Sequence, residues 1–119
     1  MPNPQRGEIW FTKLPTDPPE KGKRPVVIVS VDIRNKHPRA DSVLIVPLST
    51  SVHKGEAPTH LVLEPGQTGL RERALAKAED ISIVWKAQLE APRERLRSLS
   101  NHQVCELARK VQIAMGCPF

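Results

Sequence analysis

Short apolar runs separated by polar, proline-containing segments make up the first two thirds of the chain. Residues 25–31 and 42–48 are apolar almost throughout and rich in valine, which is typical of strands buried on both faces. Residues 9–11 and 59–64 predict two further strands. Because Pro25 cannot donate a hydrogen bond to a neighbouring strand, we expect it at the first position of its strand.

Polar segments join these strands. Residues 14–23 contain three prolines and predict a long loop, and loops of this length in small domains are often functional. Residues 32–41 predict a second loop, with one helical turn near Ile33, and residues 65–69 predict a turn.

Residues 70–85 carry conflicting preferences. Residues 71–73 are good helix formers, whereas residues 81–85 are typical of a strand. We predict a pair of strands here, with a bend near Glu79 and Asp80.

The C-terminal residues predict a helix. Ser100 followed by Gln103 matches a capping box, in which each side chain binds a backbone N–H group of the first helical turn. Apolar residues then recur at helical spacing: Val104, Leu107, Ala108, Val111, Ala114 and Met115. Gly116 and Pro118 should end the helix, and Cys105, beside the apolar stripe, is expected to be at least half-buried.

These elements predict one domain over residues 1–119, mainly β with helices (α+β), built as a small curled sheet or half-open barrel with a closing helix. Alternating strand and helix units are absent, so a doubly wound parallel sheet is not expected. No apolar run approaches the length of a membrane span, and residues 1–6 lack the apolar core of a signal peptide. We therefore expect a cytoplasmic location.

The composition limits the partners, metals and cofactors that we expect. The formal net charge of +5 favours a polyanionic partner, or an acidic protein that covers the same surface. Aromatic residues make up only 3%, which argues against an extensive base-stacking platform. Two cysteines without a CxxC pair, and four histidines without ligand spacing, predict no metal site, and no cofactor is expected.

A guanidinium and two hydroxyls are the strongest candidates for chemistry. Arg24 stands at the start of the second strand, after a basic loop that includes Lys21 and Lys23, and its planar donor fork suits phosphate. Ser49 and Thr50 stand at the end of the third strand. If these strands are antiparallel neighbours, the cation and the hydroxyls meet and could stabilise charge in phosphoryl transfer. The alternatives are a solvated charge and ordinary turn residues.

Several segments resemble one family over most of the chain. They are residues 6–10 (RGEIW), 20–30 (EKGKRPVVIVS), 47–50 (PLST) and 58–63 (PTHLVL), followed by Gly69-Leu70 and the final helix. Together they resemble the MazF/PemK-type toxin endoribonucleases of bacterial toxin–antitoxin systems.

The resemblance implies an SH3-like, CcdB/MazF-type barrel with a C-terminal helix, usually a homodimer. It implies a sequence-selective, metal-independent enzyme that cuts single-stranded RNA. The ribose 2′-hydroxyl attacks the adjacent phosphate and leaves a 2′,3′-cyclic phosphate and a 5′-hydroxyl. An acidic antitoxin protein would hold such an enzyme inactive.

The resemblance also assigns roles to residues. Arg24 takes the part of the catalytic arginine and Ser49 that of the hydroxyl that supports the transition state, with Thr50 beside it. Because the pKa of an arginine lies far above neutrality, charge stabilisation suits Arg24 better than proton transfer. Lys23 and His60 are further candidates for contacts with RNA; the alternative for His60 is a half-exposed strand residue.

Three departures from the family pattern affect the expected RNA groove. Arg73 replaces an acidic residue, Glu79-Asp80 replaces a common Glu-Gln, and the segment from Glu20 to Arg24 is one residue shorter than in many members. Arg71 and Arg73 could instead hold phosphate, or be solvated surface charges. Two other functions stay open: a non-catalytic barrel toxin that binds a protein such as gyrase, and a family member without activity.

Overall fold

The computed structural model describes residues 3–50 and 57–116, which form six strands and three α-helices. The strands are β1 (Ile9–Thr12), β2 (Arg24–Ile28), β3 (Ser42–Ser49), β4 (His60–Leu63), β5 (Ala74–Lys77) and β6 (Ser82–Trp85). The helices are α1 (Asp32–Asn35), α2 (Pro65–Thr68) and α3 (Asn101–Met115), and single 3₁₀ turns occupy Pro19–Lys21, Ala78–Asp80 and Lys86–Gln88. The predicted strands, the helical turn near Ile33 and the C-terminal helix are confirmed.

All strand pairs are antiparallel, and β3 is the centre of the sheet. The order is β1-β2-β3-β5-β4, and β6 pairs with β3 as well. Along one edge of β3, its first half pairs with β6 and its last two residues pair with β5. The two strands predicted within residues 70–85 and the bend near Glu79 and Asp80 are present, and both strands pair with β3.

Each face of the sheet carries its own apolar core. Successive strand residues point to opposite faces, so Val27 joins one core while Val26 and Ile28 join the other. The first core includes Leu99, Val104 and Leu107 around α3, with residues of β1–β5. The second is closed by Leu14 and Leu89 from the loops. The predicted curled sheet with a closing helix is thereby confirmed.

The second strand ends earlier than predicted. The sequence predicted residues 25–31, but β2 stops at Ile28, because Ser30 leaves the ladder for a buried polar network. The Ser30 hydroxyl accepts the Leu44 N–H at 3.1 Å and lies 2.5 Å from Asn35 Oδ1. Asn35 Nδ2 donates to the Ser30 carbonyl at 2.8 Å. These bonds fix α1 against the sheet.

Helix α3 packs through its first half. Ser100 and Gln103 form the predicted capping box, and Gly116 ends the helix with a φ of 82°. Val104 and Leu107 are buried, but Met115 and the other apolar residues of the last turns, Ile113 and Ala114, are exposed. Cys105 is exposed, so its expected burial is wrong: it lies one residue beyond Val104, about 100° around the helix. Pro118 and Cys117 lie outside the described residues.

Candidate functional site

Strand register brings Arg24 next to Ser49. Strands β2 and β3 are antiparallel, with Val26 opposite Pro47. Continued for two residues, this register sets Arg24, the first residue of β2, opposite Ser49, the last residue of β3. The Arg24 side chain reaches the carbonyl oxygen of Leu48, the residue directly before Ser49.

Two partners hold the Arg24 guanidinium. Nε and Nη2 both donate to the carbonyl oxygen of Leu48, at 3.3 and 3.1 Å. Nη1 donates to the two carboxylate oxygens of Asp17, at 3.2 and 3.3 Å. The side chains of Arg24 and Asp17 are only 15% and 10% exposed, so this ion pair is largely removed from water. The solvated charge that was the alternative is therefore wrong for Arg24.

Ser49 and Thr50 lie at the end of β3. Ser49 is half-buried and pairs with Leu75 of β5 on the side away from β2. Thr50 follows the strand and is exposed. Ser49 thus stands on β3 between the strand of Arg24 and β5.

Lys23 and Arg71 belong to another part of the surface. They line a cavity of about 410 Å³ whose lining does not include Arg24 or Ser49. Lys23 forms an ion pair with Glu90, and Arg71 forms one with Glu94 at 3.0 Å. Lys23 precedes β2, and its partner Glu90 differs from Asp17, the partner of Arg24. The floor of this cavity is apolar, formed by Phe11, Leu70, Pro92 and Leu96.

His60 starts β4 and is held by Glu79. The distance from His60 Nε2 to Glu79 Oε2 is 3.0 Å, and the Thr59 hydroxyl donates to Glu79 Oε1 at 2.8 Å. Burial acts to raise the pKa of Glu79, but hydrogen bonds from its own backbone, His60 and Thr59 together hold that pKa below its ordinary value. Nδ1 of His60 is buried without a hydrogen-bond partner. His60 is two strands away from Ser49.

Arg73 pairs across the sheet with Glu64. Arg73 Nε lies 2.6 Å from Glu64 Oε1, and both side chains are about half exposed. The β4–β5 register, with Leu63 opposite Ala74, continues to this pair. Arg73 is therefore a surface charge with a carboxylate partner, just before the start of β5.

Every charged or imidazole side chain predicted to contact RNA has a carboxylate partner: Arg24–Asp17, Lys23–Glu90, His60–Glu79, Arg71–Glu94 and Arg73–Glu64. Sequence reasoning missed all five acids. The partners of Arg73 and His60 follow from strand register, which the sequence alone did not provide. Asp17 stands seven residues before Arg24 in an irregular loop, where no spacing rule predicts a contact.

The arrangement can bind and stabilise an anion. A guanidinium with a fixed plane stands beside a hydroxyl-bearing residue at the end of a rigid strand, which suits a tetrahedral oxyanion such as phosphate. Among the described residues, no group of three or more His, Cys, Asp or Glu side chains could hold a metal ion. No helix within residues 3–50 or 57–116 is long and apolar enough to cross a membrane.

Fold and site together define a small curled-sheet protein with a fixed, largely buried arginine at the start of a strand. Residues 5–115 match the model of the PemK-like, MazF-like toxins of type II toxin–antitoxin systems. The chain belongs to this family. The resemblance seen in the sequence is confirmed.

Relatives and solved structures agree with this assignment. Proteins named Endoribonuclease MazF, from Staphylococcus saprophyticus and from Staphylococcus epidermidis, are each 28% identical over 114 residues, covering 94% of this chain and 91% of the relative. An endoribonuclease from a mycobacterial species has the same fold, with a TM-score of 0.73, 24% identity and coverage of 100% and 97%. A mycobacterial endoribonuclease solved with its cognate antitoxin gives a TM-score of 0.72 at 23% identity, covering 98% of each chain.

Proposed function

We propose that this toxin is a sequence-selective, metal-independent endoribonuclease that cleaves single-stranded RNA. The observation that carries the proposal is the Arg24 guanidinium, fixed by the carbonyl of the residue that precedes Ser49. Family membership and the activity named for the staphylococcal relatives support it.

The proposed reaction is an internal displacement at phosphorus. The ribose 2′-oxygen attacks, the bond to the 5′-oxygen of the next nucleotide breaks, and the products are a 2′,3′-cyclic phosphate and a 5′-hydroxyl. Negative charge grows on the non-bridging oxygens as the 2′-oxygen approaches. Arg24 stabilises that charge with its N–H groups, and the Ser49 hydroxyl adds a hydrogen bond. The 2′-hydroxyl loses one proton and the 5′-oxygen gains one, so the balance needs no metal.

The exposed basic residues fit a binding role. Surface ion pairs contribute about 0–1 kcal/mol, so Lys23, Arg71 and Arg73 can exchange a carboxylate for a phosphate at little cost. Thr50 follows Ser49, and His60 starts β4. The proposal has the RNA chain pass these two residues as it leaves the reaction centre. We propose all five as substrate-binding residues.

Cleavage in the presence of excess chelator tests the proposal. The wild-type protein should cut a long single-stranded RNA and leave cyclic phosphate and 5′-hydroxyl ends, and mapping the ends also gives the recognition sequence. Arg24→Ala should lower the rate by on the order of 100- to 1000-fold. Arg39→Ala, at an exposed arginine on a loop, is the matched control and should cleave normally.

Other outcomes would identify the alternatives. Intact RNA with a folded wild-type protein would contradict the proposal. If the same protein stalled DNA supercoiling, it would be a binding toxin of the gyrase-inhibitor type. If it did neither yet bound its antitoxin, it would be an inactive family member.

We further propose that the chain acts as a single domain and a homodimer in the cytoplasm, and that an acidic antitoxin restrains it. The formal charge of +5 and the antitoxin complexes of its structural neighbours support this partner. A disordered acidic segment could replace the carboxylates at the exposed ion pairs and would pay ordering entropy on binding. Light scattering of the toxin alone and with a co-expressed antitoxin measures both assemblies.

A further inference from the structure

Asp17 stands on an anchored turn, although it lies in a long irregular segment. Leu14, three residues before it, is only 3% exposed and belongs to the second core. The Asp17 N–H donates to the Leu14 carbonyl at 3.1 Å, which closes the turn. Pro15 within the turn and Pro18 just after it have fixed φ angles. The carboxylate is therefore held in place before any ligand arrives.

This turn is also fastened on both sides. Thr12, at the end of β1, is fully buried and donates its hydroxyl to the Gln88 carbonyl at 3.2 Å. Lys13 Nζ donates to the Pro19 carbonyl at 2.8 Å. A segment fixed by a buried leucine, prolines and these bonds is a poor hinge. Asp17 is therefore better suited to holding the Arg24 guanidinium in one orientation than to moving away from it.

The contacts of Arg24 determine which of its N–H groups can face a ligand. An arginine has five N–H donors in one plane. Nε and one N–H of Nη2 point to the Leu48 carbonyl, and Nη1 points to Asp17. The second N–H of Nη2 is not used by these contacts. Two fixed partners thus set the plane of the guanidinium and leave one N–H of Nη2 for another acceptor.

The charge of Asp17 has two opposite effects. It neutralises the largely buried Arg24 cation, which would otherwise be buried without a counter-charge. It also lowers the positive potential that attracts a phosphate. A group that orients the arginine but weakens its attraction for the ground-state anion should raise the rate of the chemical step without tightening substrate binding.

We propose that Asp17 is a positioning residue of the reaction, which holds the Arg24 guanidinium in the plane needed to stabilise the transition state. This inference rests on the proposed function for its kinetic consequence. The orientation of Arg24 itself does not depend on that function. The competing role is a latch that blocks Arg24, and it predicts the opposite change in activity.

The kinetic test compares Asp17→Asn, Asp17→Glu and Asp41→Asn in single-turnover cleavage of one RNA. Asp17→Asn keeps the size and should cleave on the order of 100-fold more slowly, as expected for a misplaced catalytic group. Its dissociation constant for RNA should be unchanged or lower, because one negative charge is gone. Asp17→Glu restores the charge and should recover part of the rate. Asp41→Asn, at an exposed acid of another loop, should match wild type.

Nitrogen-15 NMR of arginine Nε–H groups tests the positioning without RNA. Arg24→Lys removes one signal and so assigns it. In the wild-type protein the Arg24 signal should be that of an ordered side chain, in Asp17→Asn it should show averaging, and in Asp17→Glu order should return. Thermal melting of each variant checks that it is folded, and Asp17→Ala takes the place of Asp17→Asn in both measurements if Asp17→Asn is not.

The outcomes separate this inference from the proposed function. Asp17→Asn that cleaves as fast as wild type or faster, or that leaves the Arg24 signal equally ordered, overturns the inference. Equal losses of rate and affinity with an ordered Arg24 overturn it as well, since they indicate a structural effect alone. A folded wild-type protein that cuts no RNA refutes the proposed function, and the NMR comparison still decides whether Asp17 orients Arg24.

Discussion

Arg24 on β2 donates two hydrogen bonds to the carbonyl oxygen of Leu48 on β3, at 3.1 and 3.3 Å. The arginine side chain thereby continues the pairing of the two strands beyond their last backbone bonds. Because Leu48 directly precedes Ser49, any shift of β3 moves the hydroxyl and the guanidinium together. The sheet itself sets the relative position of the two candidate catalytic groups.

Replacement of Arg24 by lysine should separate charge from geometry. Lysine keeps the positive charge but has no planar fork, so it cannot bind Leu48 and Asp17 as arginine does. We expect Arg24→Lys to bind RNA nearly as wild type but to cleave on the order of 100-fold more slowly. Binding to a 2′-deoxy-substituted RNA and single-turnover cleavage of the normal RNA measure the two effects. Wild-type cleavage by this variant would mean that charge alone suffices.

Gly7→Ala should destabilise the fold. Gly7 has a φ of 91°, and a Cβ atom there would lie 2.7 Å from the carbonyl oxygen of Leu99, at the entrance to α3. We expect a loss of about 1–3 kcal/mol in the free energy of unfolding, measured by urea denaturation. Gly66→Ala, where a Cβ atom meets nothing within 4 Å, is the matched control. Similar stabilities of the two variants would contradict this prediction.

The two halves of α3 should differ in their response to truncation. Leu107 is fully buried, whereas Met115 is 70% exposed. We expect Leu107→Ala to cost about 2–5 kcal/mol of unfolding free energy, and Met115→Ala to change it by less than about 0.5 kcal/mol. Chemical denaturation of the isolated protein measures both. A large loss for Met115→Ala would show that a second copy covers this end of the helix.

Asp32 should make stability depend on pH. The backbone N–H of Arg6 donates to Asp32 at 2.8 Å and lowers the pKa of this carboxyl; burial opposes the shift, and a hydrogen bond from Asn35 reinforces it. A lowered folded pKa contributes stability above the unfolded pKa of about 3.9, and this contribution is lost as the pH falls through the folded pKa. The Tm of wild type should exceed that of Asp32→Asn at pH 7, and the gap should close in acid. Asp41→Asn, at an exposed acid, is the control.

The ion pair between Arg73 and Glu64 should regulate RNA affinity. Glu64→Gln removes the competing carboxylate, so RNA should bind more tightly than to wild type. Arg73→Gln should weaken binding and reduce the slope of log K against log salt by about 0.7, the value for one phosphate contact on a single strand. Binding titrations at several salt concentrations give both quantities. Equal slopes for wild type and Arg73→Gln would exclude a phosphate contact at this residue.

Local sequence patterns predicted the elements that depend on local rules. The apolar runs around Val27 and Val46 are strands, and the capping box at Ser100 starts a helix, because burial and backbone capping act over a few residues. The predicted burial of Cys105 was wrong, because helical spacing alone does not give the width of the face that a helix buries. Strand β2 ended at Ile28, earlier than predicted, because the Ser30 side chain competes with the ladder for backbone bonds.

The site was predictable only in part, and for a physical reason. Arg24 and Ser49 could be brought together from sequence because antiparallel neighbours place the start of one strand beside the end of the next. The position of Asp17 could not be predicted, because it depends on how a proline-rich turn packs into the second core through Leu14. That Lys23 lines the cavity while Arg24 does not likewise became known only from the folded structure.

The central position of β3 also has a consequence for the order of folding. Strands β1, β2 and β3 form an antiparallel meander within the first 49 residues, and this meander contains Asp17, Arg24 and Ser49. Contacts that are close in sequence form fastest, since little loop entropy is lost. The strands that pair with the opposite edge of β3 are β5 and β6, within residues 74–85, so this edge is paired only when those residues have been made. We therefore expect the candidate catalytic groups to assemble on the emerging chain before the remaining strands and α3 close the fold.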